Sequence, residues 1–155
     1  MKKSIFFIGL LALTTIMGSC KQQVVESSNA DSTSSTEVTV DTNVVTMIDL
    51  PNMEAKNIAN FKDGEGSVDM KMFQEGETKV MLCTIPAGSS VGYHEHDTSL
   101  EVILVQSGTA TIDLDHKGTQ TYTEGQAHIC PKGHGHSISN NSPEDLVIYN
   151  VVAAQ

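Results

Sequence analysis

Four side chains in this chain are of types and spacings that can do chemistry together. His94 and His96 are separated by one residue, Glu101 follows within the next few positions, and His136 comes some way downstream. In extended chain, residues two apart point to the same side, so the imidazoles of His94 and His96 can face one point. Glu101 would enter from the following strand, where its carboxylate is costly to bury without a partner. A divalent cation is such a partner. Three imidazoles and one carboxylate suit Mn, Fe, Zn, Ni or Cu better than Ca or Mg. Four protein ligands on an octahedral metal leave about two positions for water or substrate.

The surrounding sequence supplies β-structure to hold these groups. Val44 to Leu50 reads as a strand ended by Pro51. Ser67 to Phe73 and Thr78 to Ile85 flank Gln74-Glu75-Gly76-Glu77 and read as a hairpin. Leu100 to Gln106, Thr109 to Leu114, Thr119 to Thr123, Ala127 to Cys130 and Leu146 to Val152 read as further strands, separated by turn residues. His136 is expected on a later strand. Helical periodicity is weak and confined to Met53 to Phe61. The pattern is that of an all-β sandwich or barrel. In Leu100 to Val105, an inward Glu101 turns Leu100, Val102 and Leu104 outward. That apolar face needs cover, which predicts a homodimer or a covering N-terminal strand.

Gly88, His94, His96, Glu101 and Gly108 resemble the first motif of the cupin superfamily, with every interval at the family's spacing. Gly125, Pro131, Gly133, His136 and Asn140 resemble the second in the same way. The resemblance implies a jelly-roll (double-stranded β-helix) barrel, and it implies that His94, His96, Glu101 and His136 hold a metal. Gly88, Gly108, Gly125 and Gly133 are read as turn residues with positive φ. Pro131 stiffens the approach to the His136 loop, and Asn140 ties a turn through its amide. Tyr93, His134 and Tyr149 are candidates for the walls of a pocket beside the metal, with loop or packing roles as the alternatives. His116 and His128 are not expected to be ligands.

The chain has 155 residues, enough for one modest core. Its start reads as a targeting segment: Lys2 and Lys3, an apolar run from Ile5 to Met17, then Met17-Gly18-Ser19-Cys20. The last four resemble a bacterial lipobox with Met where Leu is usual, which implies lipidation of Cys20. The expected organisation is therefore a lipoprotein signal peptide over 1–19, a flexible polar linker over 20–43, and the barrel over 44–155. This predicts a lipid-anchored protein of the cell envelope, facing the periplasm or the cell surface. Cys83 and Cys130 can pair in an oxidising compartment, but unpaired buried thiols are the favoured reading.

Charge narrows the partners. The formal net charge is −10, all nine basic residues are Lys, and there is no Arg. Nucleic-acid binding needs a basic footprint and is excluded as an expectation. A small organic molecule is the expected partner, handled by a metal-dependent enzyme such as a dioxygenase, isomerase or lyase. The alternatives are a small-molecule or metal binding module without catalysis, and a barrel merely stapled by its metal. Fold alone does not choose among them.

Overall fold

A computed structural model describes residues 47–155. The targeting segment, Cys20 and the linker lie outside the described residues. Among the described residues ten strands follow one another: β1 (Lys56–Ala59), β2 (Ser67–Glu75), β3 (Thr78–Ile85), β4 (Ser90–Glu95) and β5 (Ser99–Ser107) come first. Then come β6 (Thr109–Leu114), β7 (Thr119–Thr123), β8 (Ala127–Cys130), β9 (Gly135–Ser139) and β10 (Leu146–Ala154). They form two antiparallel sheets, one ordered β1-β2-β3-β10-β5-β8 and the other β4-β9-β6-β7. This is the all-β jelly roll expected from the sequence.

The core lies between the sheets and follows strand alternation. On β5, Glu101, Ile103 and Val105 are buried, while Leu104 on the other face is 42% exposed. Ile85, Ile112, Ile138, Leu146 and Ile148 fill the interior, all essentially without solvent contact. β-Branched residues dominate because they pack well on a pleated surface.

Two expectations at the start of the domain fail. Met47–Asp49 is irregular and Leu50–Asn52 is a 3-10 turn, so the described end of the expected Val44–Leu50 strand is not one. Pro51 within the turn donates no ladder hydrogen bond, and Met53 N–H closes it on Leu50 O. The weak helical period over Met53 to Phe61 also misleads. There β1 pairs with β2, and a short 3-10 turn spans Phe61–Asp63. That segment is too short to sustain a helix against sheet pairing.

Candidate metal centre

A β-bulge aims the first two histidines. β4 pairs with β9 through Ser90↔Ser139 and Val91↔Ile138, then shifts so that His94 lies opposite His136. Val91 points inward and is buried. Uninterrupted alternation would turn Tyr93 and Glu95 inward after it. One extra residue in the bulge reverses the phase and sends His94 and His96 inward instead. Gly92 sits at this bulge, and a Cβ there would collide with the carbonyl oxygen of Lys62. Only glycine fits.

The four ligand candidates converge. One donor atom from each of His94, His96, Glu101 and His136 lies within 4.8 Å of all the others. Glu101 Oε2 is 2.9 Å from His136 Nε2, 3.0 Å from His96 Nε2 and 3.6 Å from His94 Nε2. Its other oxygen accepts a 2.7 Å hydrogen bond from Asn150 Nδ2 on β10. Burial alone would raise the Glu101 carboxyl, but hydrogen bonds donated by His136, His94 and His96 when their Nε2 atoms are protonated outweigh it and hold the group well below the usual carboxylate range.

The far ring nitrogens decide what this cluster can bind. His94 Nδ1 is 3.0 Å from Gly92 O, which can only accept, so the Nδ1 carries the proton. In neutral His94 this leaves an Nε2 lone pair facing the Glu101 carboxylate. His136 Nδ1 is 3.2 Å from His128 Nε2, and His128 Nδ1 is 3.2 Å from the hydroxyl of Tyr122. That hydroxyl donates to Gln120 Oε1 at 2.9 Å. Read outward, His136 donates to His128, His128 to Tyr122, and Tyr122 to Gln120. Burial is the main cause that pushes His128 down to about 4, so it is neutral and has one accepting nitrogen. With Nδ1 donating, neutral His136 too has a bare Nε2 toward the carboxylate. Lone pairs and an anion gathered at one point suit a cation, and the donor set fits a divalent transition metal.

Flanking contacts hold the second motif in place. Asp115 accepts from His134 Nδ1 at 2.7 Å, Lys117 Nζ at 3.0 Å and Gly135 N–H at 3.2 Å. The His134 hydrogen bond, then those of Lys117 and Gly135, keep the Asp115 carboxyl well below its ordinary value. His96 N–H donates to His134 O at 2.9 Å, so the loop before β9 also fixes the end of β4. Asn140 donates to Ile85 O at 2.8 Å and Glu144 O at 2.7 Å, and accepts from Ser142, as its expected turn role requires. Gly88, Gly108, Gly125 and Gly133 all have positive φ. Cys83 and Cys130 are both free and buried.

A cavity of about 390 Å³ opens onto the cluster, reaching His94, His96 and Glu101. Its walls are mainly apolar, with Met70, Met81, Val91, Ile138 and Ile148 among them. Its inner polar groups are only partly engaged: Ser99 Oγ is 3.2 Å from His96 Nδ1 and Asn150 Nδ2 holds Glu101, while Asn150 Oδ1 is buried without a hydrogen-bond partner.

None of the three pocket candidates lines this cavity. Tyr93 is turned away by the bulge and stacks on His116 with ring centroids 3.8 Å apart. His134 is spent on Asp115. Tyr149 alternates with inward Ile148 and Asn150, so it faces out, opposite Leu82 and Leu104. His128, read from the sequence only as a non-ligand, and Asn150, not singled out there, brace the cluster. Their only signal there was inward strand parity.

Residues 81–152 match the family model described as Cupin domain. A search of the curated proteins finds no match. Among solved structures, a predicted oxalate decarboxylase of Thermotoga maritima is 23% identical with a TM-score of 0.66, over 70% of this chain and 99% of that one. The Cnp3 cupin domain of Schizosaccharomyces pombe is 15% identical with a TM-score of 0.59, over 71% and 74%. A cupin superfamily protein of Desulfitobacterium hafniense is 17% identical with a TM-score of 0.52, over 57% and 78%. At such identities these likenesses are likenesses of fold. The chain thus has a jelly-roll fold like theirs, and its residues 81–152 are similar to the Cupin domain family.

Proposed function

We propose that the chain is a metal-dependent enzyme acting on a small organic molecule, with His94, His96, Glu101 and His136 holding one divalent transition metal and dioxygenation as its reaction class. The observation that carries this is the apolar cavity ending on the four-residue cluster. When bound, such a metal supplies Lewis acidity or oxygen chemistry. The chain's own residues shape the reaction space. Met70, Met81, Ile138 and Ile148 exclude water and grip an apolar body. Asn150 orients the Glu101 carboxylate, Gly92 O orients His94, and His128 orients His136.

Among the described residues, the polar side chains beside the cluster are Ser99, held to His96, and Asn150, an amide that neither takes nor gives up a proton, so no separate general acid or base stands there. The same observation supports a second reading, a binding module without catalysis. Oxygen uptake by protein reloaded with Fe(II), Mn(II) or Zn(II), screened against small organic acids, alcohols and phenols, separates the two. Metal-dependent uptake with one compound supports the enzyme. Tight binding with no turnover under any metal overturns it in favour of the module.

The chain is further read as a lipoprotein anchored in the cell envelope through Cys20, supported by the lipobox-like Met17 to Cys20. Mass analysis of the membrane fraction for a diacylated Cys20 N-terminus tests this. It is also read as a homodimer. Leu104, Ile129 and Val151 are 42%, 57% and 37% exposed on the outer face of the larger sheet, and Val102 lies between the last two in register. Leu104→Glu with Ile129→Glu should convert a sedimenting dimer to monomer, and a wild-type monomer would refute the assembly.

A further inference from the structure

The cavity lining is formally neutral, with two lysines and two glutamates, where the chain as a whole is acidic. The protein as a whole is at −10, yet Lys62 and Lys79 both line the cavity. Lys71, Lys117 and Lys132 each hold a protein acceptor, at Pro51 O, Asp115 and Gln155 O. Among the described residues Lys62 and Lys79 hold none. Among the described residues, the carboxylates on the same lining are Glu95 and Glu101. Glu101 belongs to the cluster, where a divalent cation would more than offset it.

The two lysines come from opposite constructions. Lys79 lies on β3 opposite Val152, and Val152 lies opposite Glu101 on β5. Lys79 is thus two strand spacings from the cluster, roughly 10 Å between backbones. Lys62 comes from the loop before β2, where Asn60, Lys62 and Asp63 all have positive φ, at 49°, 56° and 62°. Non-glycine residues rarely adopt this conformation, and a run of them persists only when surroundings impose it. Here they do: Glu65 N–H donates to Ser90 Oγ at 2.8 Å, Ser90 N–H donates to Glu65 O at 2.9 Å, and Lys62 O abuts Gly92. The glycine at the bulge that aims His94 therefore also seats the loop that brings Phe61 and Lys62 to the cavity.

We propose that the cavity takes a small organic anion with an apolar body, its charged group at Lys62 and Lys79 and its other end at the four-residue cluster. This deepens the proposed function and rests on its placement of ligand in this cavity. Ser99 and Asn150 Nδ2 are engaged and Asn150 Oδ1 is an uncharged acceptor, so the walls contribute mainly apolar contact and the lysines contribute the choice of charge. The lysines stand in for the arginine that the chain lacks.

Calorimetric titration tests this with hexanoate, hexanamide and hexylammonium as probes, on metal-free and Zn(II)-loaded protein whose metal content is measured separately. Hexanoate should bind about tenfold tighter than hexanamide, with hexylammonium weakest, and the preference should shrink as salt rises. Lys62→Met with Lys79→Met should abolish the preference while leaving metal content and melting unchanged, whereas Lys71→Met should keep it. Equal binding of hexanoate and hexanamide overturns the inference. So does a preference that survives the double substitution, since the metal alone would then be its source. A lysine-dependent preference in protein that takes up no metal would retain the inference and refute the metal-dependent reading.

Discussion

His136 Nδ1 stands 3.2 Å from His128 Nε2, and both rings are buried. Metal-ligating histidines usually lean on a carboxylate, a carbonyl or water. Here the support is a second imidazole, itself oriented by Tyr122. Removing the acceptor leaves the buried Nδ1–H of His136 unpaired and frees its ring. His128→Phe should weaken metal binding by about 10–100-fold. His128→Gln, whose amide oxygen accepts, should recover part of the loss. Competition against a chelator of known affinity measures it, and unchanged affinity in His128→Phe would deny the bracing role.

Glu101 is the anion of the cluster, so its charge should matter more than its shape. Glu101→Gln should bind metal far more weakly than the wild type while still folding, since a neutral amide fits the same space. Wild-type protein with metal at a hundred times its dissociation constant should gain about 2.7 kcal/mol. For a domain of this size that raises Tm by roughly 10 °C. Calorimetric melts with and without metal check both, and an equal metal-induced rise in Glu101→Gln would contradict the assignment.

The two thiols should be inert in the folded state. Burial first, then the charge of Glu101, pushes Cys83 up to about 12 and Cys130 up to about 11. At pH 8 neither should supply reactive thiolate. Cys20→Ser protein should therefore resist a disulfide-exchange reagent when native and react at both thiols when denatured. Rapid native labelling would show that one of them reaches solvent.

Asp115 should shape the acid limb of stability. Its folded-state pKa is depressed by His134, Lys117 and the Gly135 N–H. Its stabilising contribution is thus fully present above its unfolded value near pH 4, and is lost as pH falls through the folded value. Asp115→Asn should be less stable than wild type at pH 6, with the gap narrowing below pH 4. Urea midpoints across that range measure the effect, and parallel curves would exclude it.

The strands and the ligands could be read from the sequence because both follow short-range rules. Thr109–Leu114, Thr119–Thr123 and Ala127–Cys130 are runs bounded by turn residues, and the structure has the same bounds. The inward parity of Glu101 follows from strict alternation along β5. What parity could not supply was the bulge after Val91, because an extra residue depends on the partner strand. That one residue decides that Tyr93 faces His116 rather than the cavity. The support from His128 and Asn150 was equally hidden, since both contacts cross between strands: His128 meets His136 from the other sheet, and Asn150 meets Glu101 from far along the chain.

The most direct test of the central claim is the metal content and coordination of protein purified without oxygen. Elemental analysis joined to X-ray absorption should give one transition metal per chain, with three imidazole nitrogens and one carboxylate oxygen, and no retained metal in His94→Ala with His136→Ala. A wild-type chain that takes up no metal, or a metal kept at full stoichiometry by that double variant, would contradict it.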